Sequence, residues 1–420
     1  MAFRGTATST VASPPNLISQ IKSETKSPNK LRDRRHDRFD FKNMAWGVMP
    51  YRGFKSFHSC GLPNRHDPVL AGNVGVAMGL NGLASFRGLL ACGSVWICPV
   101  CSAKITERRS VELSNGIKAL HDAGGEVYFG TFTVPHTHGQ PLKELLDGFQ
   151  AAWRRMVASR AYKQLMDRAG SRGTVRGLEF TYGLNGWHPH IHALFFTMDC
   201  SLSVSEFKHV LYSLWEKAVR AVGIGDTSAD AFDLRAGRSA SKRVLGAYVA
   251  GATGAKQSWG LEREVAKAPG KRGKGDSYSP FDFLRVISEE TKKSKGEENL
   301  IRNEIRGHSD KSKVPLTKEQ AQALFLEYGV ATRGLRQLVW SRGLRDWLGL
   351  GNELTDKEVA DKAETGKLIG IISGKDYMRL WGSSRVIDFL ESIEDFGWDQ
   401  TISIFGIEVS SRASPLGGSP

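Results

Sequence analysis

The 420-residue chain is short of cysteine, short of acid relative to base, and without long apolar runs. Its five cysteines, at 60, 92, 98, 101 and 200, are unevenly spaced and do not resemble the disulfide framework of a secreted module. Thiols in a reducing cytoplasm, some of them on a metal, fit better. No apolar run approaches the roughly 20 residues that cross a bilayer. The opening "MAFRGTATSTVASPPNLISQ" lacks the apolar core of a secretory signal. A cytoplasmic protein with no membrane partner is therefore expected. No internal repeat is visible.

Acidic residues are the scarcer sign, 44 against 58 Lys and Arg, for a net charge of +14. That excess suits a polyanionic partner, and nucleic acid is the common one, although net charge describes a field and not a site.

The fold class expected is α+β, an antiparallel sheet with helices on one face. "EVYFGTFTVPH" is rich in aromatic and β-branched residues and predicts a strand. "TVRGLEFTYG" and "HPHIHALFFTMD" predict two more, joined by "LNGW", where Asn185-Gly186 is a hairpin-turn signal. "AFDLRAG" predicts a fourth. Helical spacing marks the residues before Gly124-Gly125, the stretch "PLKELLDGFQAAWRRMVASRAYKQLMDRAG", and "SVSEFKHVLYSLWEKAVRAVG". The order strand, helix, hairpin, helix, strand, helix calls for antiparallel pairing.

Five segments follow. Residues 1–45, with "KLRDRRHDRFDFK", have the low hydrophobicity and dense charge of a disordered basic arm, either a DNA tether or a solubilising tail. Residues 46–110 form a cysteine-containing segment and 111–270 the catalytic core. Residues 271–350 are a linker and a helical, DNA-binding extension, the Gly- and Lys-rich "KAPGKRGKGDSYSP" marking the junction. Residues 351–420 carry no signal of role.

The chemistry concentrates in "RGLEFTYGLNGWHPHIHALFF". On a strand, His188, His190 and His192 point to one face, with Pro189, Ile191 and Ala193 on the other. Protonated imidazoles in a row repel, whereas neutral imidazoles bind a cation well. Glu179, on the preceding strand, stands within reach across the sheet or else is an exposed strand carboxylate. Two imidazoles and one carboxylate make an open divalent site. The HxHxDH pattern of zinc hydrolases fails, because Leu194 or His192 stands where its Asp is required.

His190-Ile191-His192 resembles the His-hydrophobic-His motif of the HUH endonucleases. The chain is more closely similar to the rolling-circle replication initiators of small bacterial plasmids, over residues 90 to 350. "VWICPVCSAKITERR", "GTFTVPH", "YSPFDFL" and "EYGVATRGLRQLVWSRGLR" resemble further motifs of that family, in the right order. The resemblance implies the HUH nuclease fold for the core and a metal-dependent nickase that forms a 5′-phosphotyrosyl link and leaves a 3′-hydroxyl. It implies Mg²⁺ or Mn²⁺ on His190 and His192, completed by Glu179 or His188. The nucleophile aligns with Tyr248 in "RVLGAYVAGATGAK"; Gly251 and Val244 stand where family members often carry Lys and Glu, so Lys242 or Lys256 are the substitutes considered. Tyr212 is the next candidate. Double-strand origin DNA and single-stranded DNA are the implied partners, with host helicase, polymerase and a second copy of the chain as further ones.

Cys98-Pro-Val-Cys101 has the spacing of half a zinc knuckle, with Cys92 just upstream and Cys60 in "FHSCG" further back. Four thiolates would staple the N-terminal segment to the core; buried, unliganded thiols are the alternative, and Cys200 is read as packing. Arginines in "TERRS", "AWRRM" and "SKRVL" are candidate phosphate contacts. Two rival functions are an HUH transposase or mobilisation relaxase, and a non-catalytic, zinc-containing DNA-binding regulator. The regulator leaves the histidine row unexplained.

Overall fold

The computed structural model describes residues 28–198, 200–236, 276–294, 315–362 and 366–407. In chain order its first elements are α1 (Pro28–Val48), α2 (Lys55–Ser59), β1 (Val74–Gly79), β2 (Ala84–Arg87), α3 (Pro99–Asp122), β3 (Glu126–Phe132), α4 (Leu142–Ala158) and α5 (Arg160–Arg168). The hairpin β4 (Ser171–Gly183) and β5 (Gly186–Thr197), α6 (Val204–Ala221), β6 (Phe232–Ala236), β7 (Leu338–Trp340) and β8 (Gly366–Ile372) follow. All strand pairs are antiparallel. One sheet runs β6-β3-β5-β4-β7 and a smaller one β2-β1-β8. The α+β class expected from the sequence is what is found.

Strand parity decides which residues meet. Along β5, Trp187, Ile191, Ala193 and Phe195 face the rear of the large sheet, and His188, His190, His192, Leu194 and Phe196 face the front. The rear is sealed by α4 and α6. Phe195 and Tyr128 meet Phe207 edge-on, and Phe132 meets Trp153 and Trp215. Trp215 is fully buried, and its indole Nε1 donates to the Thr133 carbonyl at 2.9 Å. Truncating that side chain to alanine would cost about 3–5 kcal/mol. On the front, Leu113 and Leu120 of α3 cover one end, against Val127, Val175, Leu194 and Phe196. The other end carries the histidines.

Several expectations are corrected. Residues 28–45, read as part of a disordered arm, belong to the helix α1; residues 1–27 lie outside the described residues. The charges taken as a mark of disorder are matched by acids far along the chain. Arg35 pairs with Glu394 at 2.5 Å, Arg32 with Asp395 at 2.6 Å, and His36 with Glu391 at 2.9 Å. Phe41, Ala45 and Met49 of the same segment enter the main core. The C-terminal region, given no role, supplies β8 to the small sheet. Tyr377, Phe389, Leu390 and Phe405 then close a second core with Val74 and Val76. α3 runs through the boundary drawn at 110/111. Within the extension placed at 271–350, residues 317–350 are helical over Lys318–Ala331 and again over Leu344–Trp347, and between the two β7 adds an edge strand to β4.

Two local expectations change as well. The α4–α5 stretch breaks at Ser159, whose hydroxyl accepts from the Tyr162 amide and caps a new helix. In the β4–β5 hairpin Gly183 pairs with Gly186, so Leu184 and Asn185 form the tip. Gly186 takes φ +84°, a left-handed conformation that favours glycine at this tight turn, and a Cβ there would meet the Thr137 carbonyl at 3.1 Å.

Candidate functional site

The histidine-bearing end of the front face is built by three neighbouring strands in register. Glu179 of β4 lies opposite His190 of β5, and His192 lies between Gly177 of β4 and Thr131 of β3. Residues directly opposite share a face, so the sheet brings Glu179, His188, His190, His192 and Thr131 together. Glu179 and His192 are each 6 % exposed, so Glu179 is not the solvated strand carboxylate its alternative supposed. Its Oε2 is 2.6 Å from His192 Nε2. The other ring nitrogen, Nδ1, is 3.2 Å from the Thr131 hydroxyl, and the ring stacks on Phe129 at 5.4 Å. His192 is thus fixed on both edges and one face.

The imidazoles form a row. Ring centroids are 5.9 Å apart for His190 and His192, and 4.1 Å for His188 and His190. His136, just beyond β3, extends the row by stacking on His188 at 4.5 Å. Its Nδ1 donates to the Val134 carbonyl at 3.2 Å, which leaves Nε2 as the lone-pair nitrogen. Burial, and then the neighbouring His136, push the His188 pKa down to about 4 against the opposing pull of Glu179. His188 is therefore neutral at pH 7, the form that ligates a metal.

Sequence reasoning missed His136 and Thr131. His136 stands four residues past the end of β3, so strand periodicity says nothing of it, and Thr131 gains meaning only through register. Asp233 of β6, opposite Thr131, also faces the front and pairs with Lys208 at 2.9 Å and Arg235 at 2.6 Å.

Tyr248, Lys242, Lys256 and the "SKRVL" arginine lie outside the described residues. Tyr212 does not approach the histidines, because α6 covers the rear face and the Tyr212 hydroxyl donates to the Thr227 carbonyl at 3.2 Å. Of the two arginines of "TERRS", Arg109 is structural, whereas Arg108 is half exposed and reaches Glu112 at 3.0 Å. Arg109 is buried and meets Glu112 and Asp356 at 3.1 Å each, while Arg345 binds Glu112 at 3.2 Å. In "AWRRM", Arg154 faces Arg176, whose side chain lies over the Trp153 ring; burial, then Arg154, lower the Arg176 pKa.

The second constellation is the cysteines. Cys92, Cys98 and Cys101 enter at the start of α3, and Cys60 follows α2. Their ligand sulfurs all lie within 4.8 Å of one another, the only such group of His, Cys, Asp or Glu among the described residues. Cys60 is 3.6 Å from Cys101 and 3.8 Å from Cys98, and Cys92 is 3.6 Å from Cys101. These separations rule out disulfides, whose sulfurs lie at roughly 2.05 Å. A tetrahedron with metal–sulfur bonds of about 2.3 Å has edges of about 3.8 Å, so the spacing fits zinc. Hydrogen bonds within the cluster hold the Cys60 thiol below its ordinary range and the Cys92 and Cys98 thiols above theirs. Cys200 stands apart, with Sγ 3.8 Å from the Leu202 carbonyl.

Residues 90–221 match the profile of a family described as replication protein. "Protein rep" of Streptomyces lividans is 28% identical over 338 residues, which cover 69% of this chain and 71% of that protein. A "Neomycin resistance protein" of Streptomyces cyanogenus is 33% identical over 138 residues, covering 27% of this chain and 32% of its own length. No solved structure matches the chain. The matched interval holds the CxxC, β3, the β4–β5 hairpin and α6, and with them every histidine of the row. The resemblance to the plasmid replication initiators therefore holds, and it is carried by residues 90–221, which match the replication-protein family.

Proposed function

We propose that this chain initiates rolling-circle plasmid replication by nicking and rejoining one strand of its origin. His190 and His192 hold Mg²⁺ or Mn²⁺ there, completed by Glu179 or His188, and Tyr248 is the nucleophile. The observation that carries this reading is the Glu179–His192–His190 set gathered on one face of the sheet, within the interval that matches a replication-protein family. Paired imidazoles and a carboxylate are a fitting donor set for a divalent ion, with more affinity for Mn²⁺ than an all-oxygen site has. Closing them round an ion asks for a ring rotation, because unlike the cysteines they do not lie within 4.8 Å of one another. The bound cation would polarise the scissile phosphate and offset charge gathering on its oxygens.

The choice of nucleophile is supported by elimination. The chain has nine tyrosines, and eight lie in described residues. Tyr128 and Tyr182 point to the rear face, and Tyr278 bridges to Tyr182 on that side. Tyr162, Tyr328 and Tyr377 are buried in cores, Tyr212 sits on α6, and Tyr51 precedes α2. Tyr248 is the one left. Its phenol oxygen would bond to phosphorus as the 3′ oxygen leaves and takes up a proton, storing the linkage for rejoining. A phenol of ordinary pKa near 10 needs a base or a cation beside it to react at pH 7.

The test is incubation with single-stranded origin DNA and Mg²⁺ or Mn²⁺, scored as a covalent protein–DNA adduct. Tyr248→Phe should bind the origin normally and form no adduct. Full cleavage by the Phe variant moves the nucleophile elsewhere, and normal cleavage by His190→Ala, His192→Ala ends the nuclease reading.

A further inference from the structure

Immediately before the cysteine centre the chain is aromatic and basic and has no acid at all. From Phe41 to His66 there is no Asp or Glu, while Lys42, Arg52, Lys55 and Arg65 are cationic. Two large rings of this segment face solvent, Tyr51 at 61 % and Trp46 at 38 % exposure. Both meet the ring of His58, Trp46 at 5.7 Å and Tyr51 at 5.5 Å, and Trp46 also meets Trp381 edge-on at 6.3 Å.

The ledge is held rigidly from behind. His58 Nε2 donates to the Met49 carbonyl at 2.9 Å, Phe57 is 2 % exposed in the main core, and Cys60 ends α2 within the sulfur cluster. Lys42 lies over the Trp381 ring at 4.7 Å and donates to the Cys60 carbonyl at 2.6 Å. On the other flank the Arg333 guanidinium lies over Phe54 at 5.7 Å, at the rim of a cleft shared with Cys92 and Gly93. The carboxylate lining that cleft, Asp356, is engaged by Arg109.

We propose that Trp46 and Tyr51, flanked by Arg52, Lys55 and Arg333, form a stacking ledge for single-stranded DNA. Exposed rings fixed in place, on a stretch of chain with four cations and no acid, match what unpaired nucleic acid presents. Its base faces stack on the aromatics and its phosphates meet the cations. A duplex does not fit, since its base faces are already stacked on one another. The ledge would hold unpaired origin strand beside the nuclease domain; in that respect the proposal rests on the nicking reading.

The test separates the two readings. A His190→Ala, His192→Ala background, without added divalent metal, removes cleavage, and fluorescence anisotropy measures binding of labelled oligothymidylate. Trp46→Ala and Tyr51→Ala should each weaken binding, by roughly 5- to 100-fold, and Tyr51→Phe should stay within about twofold because the stacking face survives. Arg52→Ala and Lys55→Ala should each lower the slope of log affinity on log salt by about 0.7. Zinc content and circular dichroism matching the parent establish that each variant is folded. Unchanged affinity in Trp46→Ala, Tyr51→Ala overturns the proposal. So does unchanged affinity with loss of self-association in sedimentation, which would make the ledge a protein interface. Weakened oligothymidylate binding sustains the ledge even where the parent chain never forms a covalent adduct, an outcome that defeats only the nicking reading.

Discussion

Glu179 and His192 meet across the β4–β5 hairpin at 2.6 Å, both almost closed to solvent, while Thr131 contacts the opposite nitrogen of the same ring. When Nδ1–H donates to the Thr131 hydroxyl, the Nε2 lone pair faces the carboxylate, the arrangement a shared cation needs. Thr131→Val removes that acceptor with little change of shape. It should weaken Mn²⁺ binding roughly tenfold by calorimetry and leave DNA binding intact. Glu179→Ala should weaken the metal at least as much. Parent-like Mn²⁺ affinity in both variants would place the ion elsewhere.

The cysteine centre makes a spectroscopic prediction. Purified chain should carry about one zinc, and Co²⁺ exchanged into the site should show the intense visible and near-ultraviolet bands of tetrahedral thiolate ligation. Cys98→Ser should lose both the bands and thermal stability, because metal binding of this kind is folding free energy. A zinc-free chain with an undiminished melting temperature would make the four thiols packing residues.

What was legible in the sequence was local. β4 and β5 alternate strictly and are joined by a tight turn, so the histidine face follows from parity alone. The cysteine cluster was legible because CxxC geometry and metal chemistry leave few arrangements. What failed was non-local. β8, "GKLIGII", finds its partner β1 nearly 300 positions away, Val74 pairing with Ile372, and nothing in either strand names the other. α1 looked unfoldable because its neutralising acids lie more than 350 positions further on, Arg35 and Glu391 being 356 apart. His136 and Thr131 join the site only through strand pairing and the loop beyond it.

The α1 docking contact is therefore worth breaking. The Glu394 carboxylate is 1% exposed and takes Arg35 on one side and the Ala84 amide on the other. Arg35→Ala strands a buried charge, which typically costs about 3–5 kcal/mol; Arg32, 2.7 Å from Glu394, offsets part of it. A loss of about 2–3 kcal/mol in urea unfolding is expected. Arg35→Ala, Glu394→Gln should recover part of that loss, since the stranded charge is gone. Equal stability of Arg35→Ala and parent would mean that α1 does not dock on the Val386–Phe396 helix in solution.

The His188 ring predicts how metal-free protein responds to acid. Its pKa in the fold is about 4, lowered by burial first and by His136 second, whereas an unfolded histidine titrates near 6.5. Between those values the unfolded chain binds a proton that the folded chain does not, so stability rises with pH across the window. The contribution is complete above about pH 6.5 and is lost as pH falls toward 4. At about 1.4 kcal/mol per unit the ceiling is near 3 kcal/mol, and solvent screening of a partly exposed ring reduces it to about 1–2 kcal/mol. His188→Gln cannot titrate. Between pH 7 and pH 4.5 the parent should therefore lose about 1–2 kcal/mol more than the variant in urea unfolding. Identical losses, or an NMR titration of the His188 ring centred near 6.5, would show that the imidazole row is open to water.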